Sequence, residues 1–292
     1  MKTTSAPGTA KRVLADPGFK KAMDALCDKY QSDEALAADP ISIPRAYASA
    51  IDRELTSWVA AHLAYGRVAP MLKAIRRLLG PLGAKPAQWL RERTEPRIRE
   101  ELGPLLIKWA WRFHKPEDMA AWLIAWKRMD ESTKHSGMEP LFTPQESATA
   151  DQRLSGLINS LRQSLPETPG LRFNLPDPLK GAACKRWRMF LRWMARSGWP
   201  DFGIWKKYPQ DALVIPLDTH VHRISKQIGL CGRRSQDALA ALEITEALRA
   251  LDPADPLKYD FALAHLGILG DCTGERRQKC CECPLDTVCG LL

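Results

Sequence analysis

Apolar residues recur every three to four positions along most of the chain, and no segment alternates apolar and polar residues as a half-buried strand would. Phe19, Met23, Leu26 and Tyr30 share one face over residues 19–30. A polar, Asp- and Ala-rich connection follows, and Pro44 stands where a first helical turn tolerates proline. Ile51, Leu55, Trp58, Val59 and Leu63 form the next stripe, which Gly66 is expected to end; Met71, Leu72, Ile75, Leu78 and Leu79 form another, stopped by Gly80. Pro86 and Pro116 open further helices, the second reading "PEDMAAWLIAWKRM" with Met119, Trp122, Leu123 and Trp126 turned inward. "TPQE" (Thr143–Glu146) fits a capping box, in which the Thr oxygen takes one free backbone amide and the Glu another, and Leu154, Leu157, Ile158 and Leu161 continue that helix. The Pro-rich stretch 165–180 reads as a loop, as does 199–217. Between them lies a basic amphipathic helix over 184–197, and helices over 218–230, 235–250 and 256–270 close the pattern. Ten or more short helices with no strand, no internal repeat and no low-complexity tract predict an all-α protein.

Composition narrows this. A length of 292 residues is enough for one large domain or two modest ones, and 45% apolar residues make the chain globular rather than disordered. No run of eighteen apolar residues occurs, so no membrane partner is expected. "MKTTSAPGTAKRVLADPGFK" has no apolar signal core, which predicts a cytoplasmic protein. Most of the tryptophans lie on apolar stripes, and roughly seven are expected in the core. The net charge of +9 suggests a polyanionic partner.

The cysteines change the picture most. Five of eight fall within "CTGERRQKCCECPLDTVC", and in a reducing compartment such a cluster reads as metal ligation rather than disulfides. Cys272, Cys280, Cys283 and Cys289 have the spacing C-x7-C-x2-C-x5-C. Four thiolates suit a zinc ion or a 4Fe–4S cluster. Zinc sites usually present two close pairs, whereas three unequal gaps fit the larger cubane better. Cys281 is read as pointing away, because a Cys281-x-Cys283 bite would be strained. With no C-x3-C-x2-C run, radical S-adenosylmethionine chemistry is disfavoured.

At this point the chain resembles the endonuclease III branch of the helix-hairpin-helix DNA glycosylases, which carries a C-terminal 4Fe–4S loop with gaps of six, two and five. Here the first gap is one longer. "FALAHLGILGDC" leads into the first ligand much as that family's last helix does, and "VIPLDTHVHRI" is similar to its V-D-T-H-V-x-R-V segment, about fifty residues upstream. The resemblance implies that Asp218 is the catalytic aspartate. The family's bifunctional members place a lysine just after a Gly-x-Gly hairpin. That position falls on "GAACK", with Gly181 as the first glycine, Ala183 in place of the second and Lys185 as the nucleophile, 33 residues before Asp218. "AYGRV", "GAACKRWRMFLRWMAR" and "IPLDTHVHRI" also resemble the DUF2400 group of uncharacterised bacterial proteins, over about residues 45–290.

Asp218 also reads independently as an N-cap, before a helix whose inward face is Val221, Ile224 and Ile228. Facing a cleft, its carboxylate could stabilise positive charge on a deoxyribose as the base leaves, or accept a proton from a nucleophile. Lys180, Arg186, Arg188 and a helix N-terminus would favour the neutral amine that a nucleophilic Lys185 needs. The helix 184–197 carries Lys185, Arg186, Arg188, Arg192 and Arg196 with no acid, so Gly181, Ala183, Arg186, Arg188, Arg192 and, beyond it, Lys206 and Lys207 are expected to meet phosphates.

The expectation is therefore a monomeric, two-lobed all-α protein that binds duplex DNA and excises a base through Asp218, with strand cleavage through a Lys185 imine. Residues 43–224 would form the central lobe, with the degenerate hairpin at 181–185. Residues 1–42 would pack with 225–292, which holds the 4Fe–4S loop at 272–289. The rivals are a nucleic-acid-binding protein that kept scaffold and cluster without the chemistry, and a zinc-stabilised helical adaptor.

Overall fold

The structure, a computed structural model, describes residues 16–145 and 147–290. It is all-α: among the described residues the only β-type pairings are two isolated bridges. The longer helices are α1 (Pro17–Tyr30), α2 (Ala50–Leu63), α3 (Val68–Leu79), α4 (Glu95–Leu105), α5 (Pro116–Ser132), α6 (Ala150–Ser164), α7 (Lys185–Ala195), α8 (Thr219–Gln227), α9 (Ala238–Leu251) and α10 (Asp260–Ile268). No helix of the described residues is long and apolar enough to cross a membrane.

Most boundaries follow from local chemistry. The Ser49, Thr149, Asp218 and Asp237 side chains each accept a hydrogen bond from an amide in the first turn that they precede. Three boundaries differ from the pattern. Pro44 belongs to a separate short turn, Ser42–Arg45, and α2 starts afresh at Ala50 because Ser49 caps it. The capping box is not at Thr143. It is Thr149, whose hydroxyl accepts from Gln152 N (3.3 Å) while Gln152 Oε1 accepts from Thr149 N (2.8 Å). Thr143 instead closes the turn Glu139–Phe142, and Glu146 lies outside the described residues. Within the expected loop 165–180, Pro169–Asn174 is helical, capped by Thr168 and anchored by buried Leu171.

The core is aromatic where α2, α5 and α7 meet. Trp58 stacks on Trp122 at 4.3 Å between ring centroids, and Trp187 meets Trp58 edge-on at 5.3 Å. Seven tryptophans are buried (58, 109, 122, 126, 187, 193 and 205), while Trp89, Trp111 and Trp199 are partly so, so these rings serve packing rather than an exposed stacking surface. Helix α10 packs between α8 and α1. Tyr30 Oη donates to Asp271 (2.7 Å), and Lys258 pairs with Asp24 (3.0 Å), which tie α1 to the C-terminal segment.

The arginines of α7 overturn one expectation. Arg188 and Arg192 do not face solvent: they are 2% and 3% exposed, too enclosed to meet a DNA phosphate. Arg188 pairs with Asp151 (2.6 Å), Arg192 with both Asp201 (3.1 Å) and Asp260, and Arg196 with Asp201 (2.8 Å) and Asp255 (2.7 Å). The helix carries no acid of its own, but its counter-charges arrive from α6, the following loop and the start of α10. Arg186 is buried as well, and among the described residues no carboxylate pairs with it.

Candidate functional site

A cleft of about 670 Å³ opens between these regions. That volume falls within the range of small-molecule sites. One wall comes from the α2–α3 connection (Ala64–Gly66), Phe173 and the start of α7; the other comes from Ala38–Pro40, Pro216–His220 and α10. Two helix N-termini deliver the chemistry. Lys185 is the first residue of α7 and Asp218 is the N-cap of α8, and their Nζ and Oδ2 atoms lie 3.8 Å apart. Asp218 Oδ1 accepts from Val221 N (2.8 Å), which fixes the carboxylate while Oδ2 stays turned toward the lysine. Both side chains keep partial exposure, 30% for Lys185 and 19% for Asp218, so a ligand in the cleft can reach them.

Residues 181–185, the expected degenerate hairpin, lead into α7 without a second glycine. Gly181 takes φ +87° at the end of the turn Pro178–Lys180, and its carbonyl accepts from Ala238 N (3.0 Å). Ala183 is not among the residues of positive φ; the second left-handed position is Cys184, at φ +53°. Alanine at 183 therefore carries no backbone strain. Burial pushes the Cys184 thiol up to about 12, which removes it as a nucleophile at neutral pH.

Sequence patterns did not single out the cleft's aromatic edge by its chemistry. Tyr65 Oη lies 2.7 Å from His114 Nδ1 and 3.0 Å from Trp111 O. Phe173 packs against Tyr65, 4.8 Å between centroids, and Arg186 lies 3.8 Å over the Phe173 ring. Gly66 takes φ +88° beside Tyr65, and a Cβ there would come within 3.0 Å of Trp111. The only signal was "AYGRV", which carries Tyr65 and Gly66. Burial, followed by the Arg186 charge, lowers His114 to about 4, so it is neutral at physiological pH. Of the other expected phosphate contacts, Lys206 and Lys207 are exposed but lie away from the cleft lining, on the segment after α7.

The cysteines form a second place. Cys272, Cys280, Cys283 and Cys289 all line one small cavity of about 30 Å³, whereas Cys281 is exposed and does not. Two of the sulfurs accept polar donors: Arg223 Nη1 reaches Cys272 Sγ (3.1 Å), and Arg277 N reaches Cys280 Sγ (3.3 Å). No three His, Cys, Asp or Glu residues among those described gather closely enough to hold a metal ion. The thiols surround a space rather than converge on a point. Cys27 and Cys231 are not part of this cavity's lining.

No curated protein and no solved structure matches the chain. One family does, over residues 39–269, a stretch that contains all of the cleft lining except Ala38 and stops short of Cys272. The chain accordingly belongs to the family described as "Protein of unknown function (DUF2400)".

Proposed function

We propose that this protein is a DNA-binding iron–sulfur protein of the DNA glycosylase type, in which Asp218 and Lys185 break the N-glycosidic bond of a nucleotide turned out of the duplex into the cleft. The observation that carries the reading is the 3.8 Å approach of Lys185 Nζ to Asp218 Oδ2 inside the cleft. The two-lobed, helix-hairpin-helix character belongs to the same reading. The cleft would separate the tryptophan-rich helices from a unit of α1 and the C-terminal helices.

Lys185 must be neutral to attack, and the neighbouring carboxylate is the acceptor for its proton. Nζ then bonds to C1′ as the C1′–base bond breaks. The base leaves with the electron pair and is protonated. Opening of the C1′–O4′ bond leaves an imine. The base takes the proton that Asp218 accepted, and the carboxylate, ionised again, opposes the positive charge on the sugar and the imine. With Arg188, Arg192 and Arg196 paired internally, DNA would meet Lys185 itself and exposed cations such as Arg67, Arg112, Lys206 and Lys207.

The four cavity-lining cysteines fit a 4Fe–4S cluster by donor type and by the hydrogen bonds to their sulfurs. Bound there, it would supply structure, since hydrolysis of a glycosidic bond requires no electron transfer. The test of the chemistry is incubation with duplexes carrying modified bases, followed by borohydride reduction. Wild type should release a base and form a covalent adduct, Lys185→Ala should form no adduct, and Asp218→Asn should lose about 10²–10³-fold in base release. Release without any adduct would leave a water-using mechanism with Asp218 alone. Binding without release from any duplex would leave a binding protein on this scaffold.

A further inference from the structure

Helix α7 buries Arg186, Arg188, Arg192 and its C-cap Arg196, and three of them are neutralised. Arg186 is the exception. It is 8% exposed, and among the described residues no carboxylate lies within ion-pair distance of it. Its Nη1 donates to His62 O (3.2 Å) and Asn174 Oδ1 (2.8 Å), and its Nη2 donates to Phe173 O. These are dipoles, and the Phe173 face adds a quadrupole; neither supplies a full counter-charge. A guanidinium has five N–H donors, so two remain, the Nε–H among them. Arg186 lines the cleft. Burial lowers its pKa only to about 10, so it stays charged at neutral pH.

The remaining charges of the cleft wall do not answer it. Lys185 is matched by Asp218, and Arg192 by Asp260. Asp39 is turned to Ile41 N (2.8 Å) and lies 3.6 Å from His265. Within its own walls the cleft therefore leaves one buried cation without a counter-charge.

We infer that Arg186 is an anion-binding floor of the cleft, and that the occupant brings a phosphate which completes the guanidinium's hydrogen bonds. A guanidinium suits this because its rigid fork matches phosphate oxygens, and enclosure strengthens the charge-assisted bonds. This rests on the reading of the cleft as a nucleotide site and narrows it: the pocket holds sugar and phosphate together, not a bare base. It also replaces the picture of Arg186 as a surface contact to the duplex backbone. The phosphate is either the diester flanking a turned-out nucleotide or the monoester of a free nucleotide.

The experiment titrates full-length protein with a deoxynucleoside, its 5′-monophosphate and a dinucleoside monophosphate, read by tryptophan fluorescence. Wild type should bind one of the phosphorylated probes about tenfold more tightly than the nucleoside, a difference equivalent to one charged hydrogen bond. Preference for the dinucleotide identifies the strand diester, and preference for the mononucleotide identifies the free ester. Arg186→Gln should lose the preference and Arg186→Lys should keep part of it. Equal affinity for all probes, no binding of any, or a preference that survives Arg186→Gln would make Arg186 a structural strut and overturn the inference. Should the Gln variant fail to fold, the wild-type Arg186 Nε–H resonance, assigned by its absence in Arg186→Lys, decides the matter. It should shift on adding inorganic phosphate, and a fixed resonance counts against the site. Phosphate preference without base release would sustain this inference and remove the glycosidic one, whereas base release without preference would do the reverse.

Discussion

The cleft and the cysteine loop meet the two ends of one short helix, and they are built in opposite ways. Helix α8 spans nine residues, about 13 Å. Its N-cap Asp218 faces the cleft; further along, Arg223 bonds Cys272, and Gln227 bonds Gly274 through its side chain and Gly290 through its carbonyl. Behind the cleft lie fully buried tryptophans and paired arginines. Around the cysteines, the turns Gln278–Glu282 and Asp286–Val288 bury no residue, and Leu285 is the buried apolar anchor between them. A site backed by a core keeps its shape without a ligand. On the proposed reading, a loop with so little apolar burial would gain most of its order from a cluster held by its thiols.

The largest effect expected from this contrast is on the loop. Cys283→Ser should reduce iron from about four per chain to near zero. Protease should then cut within 272–290, while near-ultraviolet circular dichroism of the buried tryptophans stays native. Cys281→Ser should leave iron unchanged, because that side chain is exposed and outside the cavity lining. Stoichiometric zinc in the wild type would replace the cubane with the single-ion alternative. Collapse of the tryptophan signal in Cys283→Ser would erase the contrast itself.

Next in size is the cleft's support. Arg192→Met removes the guanidinium that pairs with buried Asp260 and puts an apolar side chain beside that carboxylate, while Asp201 stays paired with Arg196. Breaking such a pair from one side costs about 3–5 kcal/mol, to be read as a lowered denaturant midpoint. Iron content should not follow, since Arg192 lies away from the cysteines. A loss below about 1 kcal/mol would mean that water already solvates these charges, and that α7 is looser than its enclosure implies.

Arg192 also marks the limit of what sequence can reveal. The helices were legible because their signals are local: the stripe Phe19–Met23–Leu26–Tyr30, the stop near Gly80 and the Asp218 cap each lie within a few turns. The basic helix was legible as a helix but not as a buried one. Its amphipathic pattern placed Trp187, Phe190, Leu191 and Met194 inward and left the arginines to solvent, yet besides nearby Asp201 the partner of Arg192 is 68 residues away and that of Arg196 is 59 away. Local periodicity does not carry pairings of that range. The short helix Pro169–Asn174 escaped notice for a related reason. Proline-rich flanks read as loop, and only the packing of Leu171 makes six residues worth ordering. Phe173 and Asn174, and with them the surroundings of Arg186, were hidden by the same gap.

The smallest effect expected is on the stability of Asp218→Asn, and it separates two roles of one residue. Asp218 caps α8 and partners Lys185. Asparagine caps a helix about as well as aspartate, so the Val221 amide keeps its acceptor. The lost charge also ends the pairing with Lys185, but at 3.8 Å and with partial exposure on both sides that pairing contributes no more than about 1 kcal/mol. The melting temperature should therefore fall by only a few degrees for a chain of this size, while base release falls by orders of magnitude. Asp218→Ala provides the control, since it removes cap and charge together and should cost about 1 kcal/mol more than the Asn variant. A large stability loss in Asp218→Asn would mean that the carboxylate is held for the fold, with the lysine as its structural partner. Near-native stability with lost activity would instead place the charge in the chemistry, and the contrast between a pre-formed cleft and a ligand-ordered loop would then extend from architecture to mechanism.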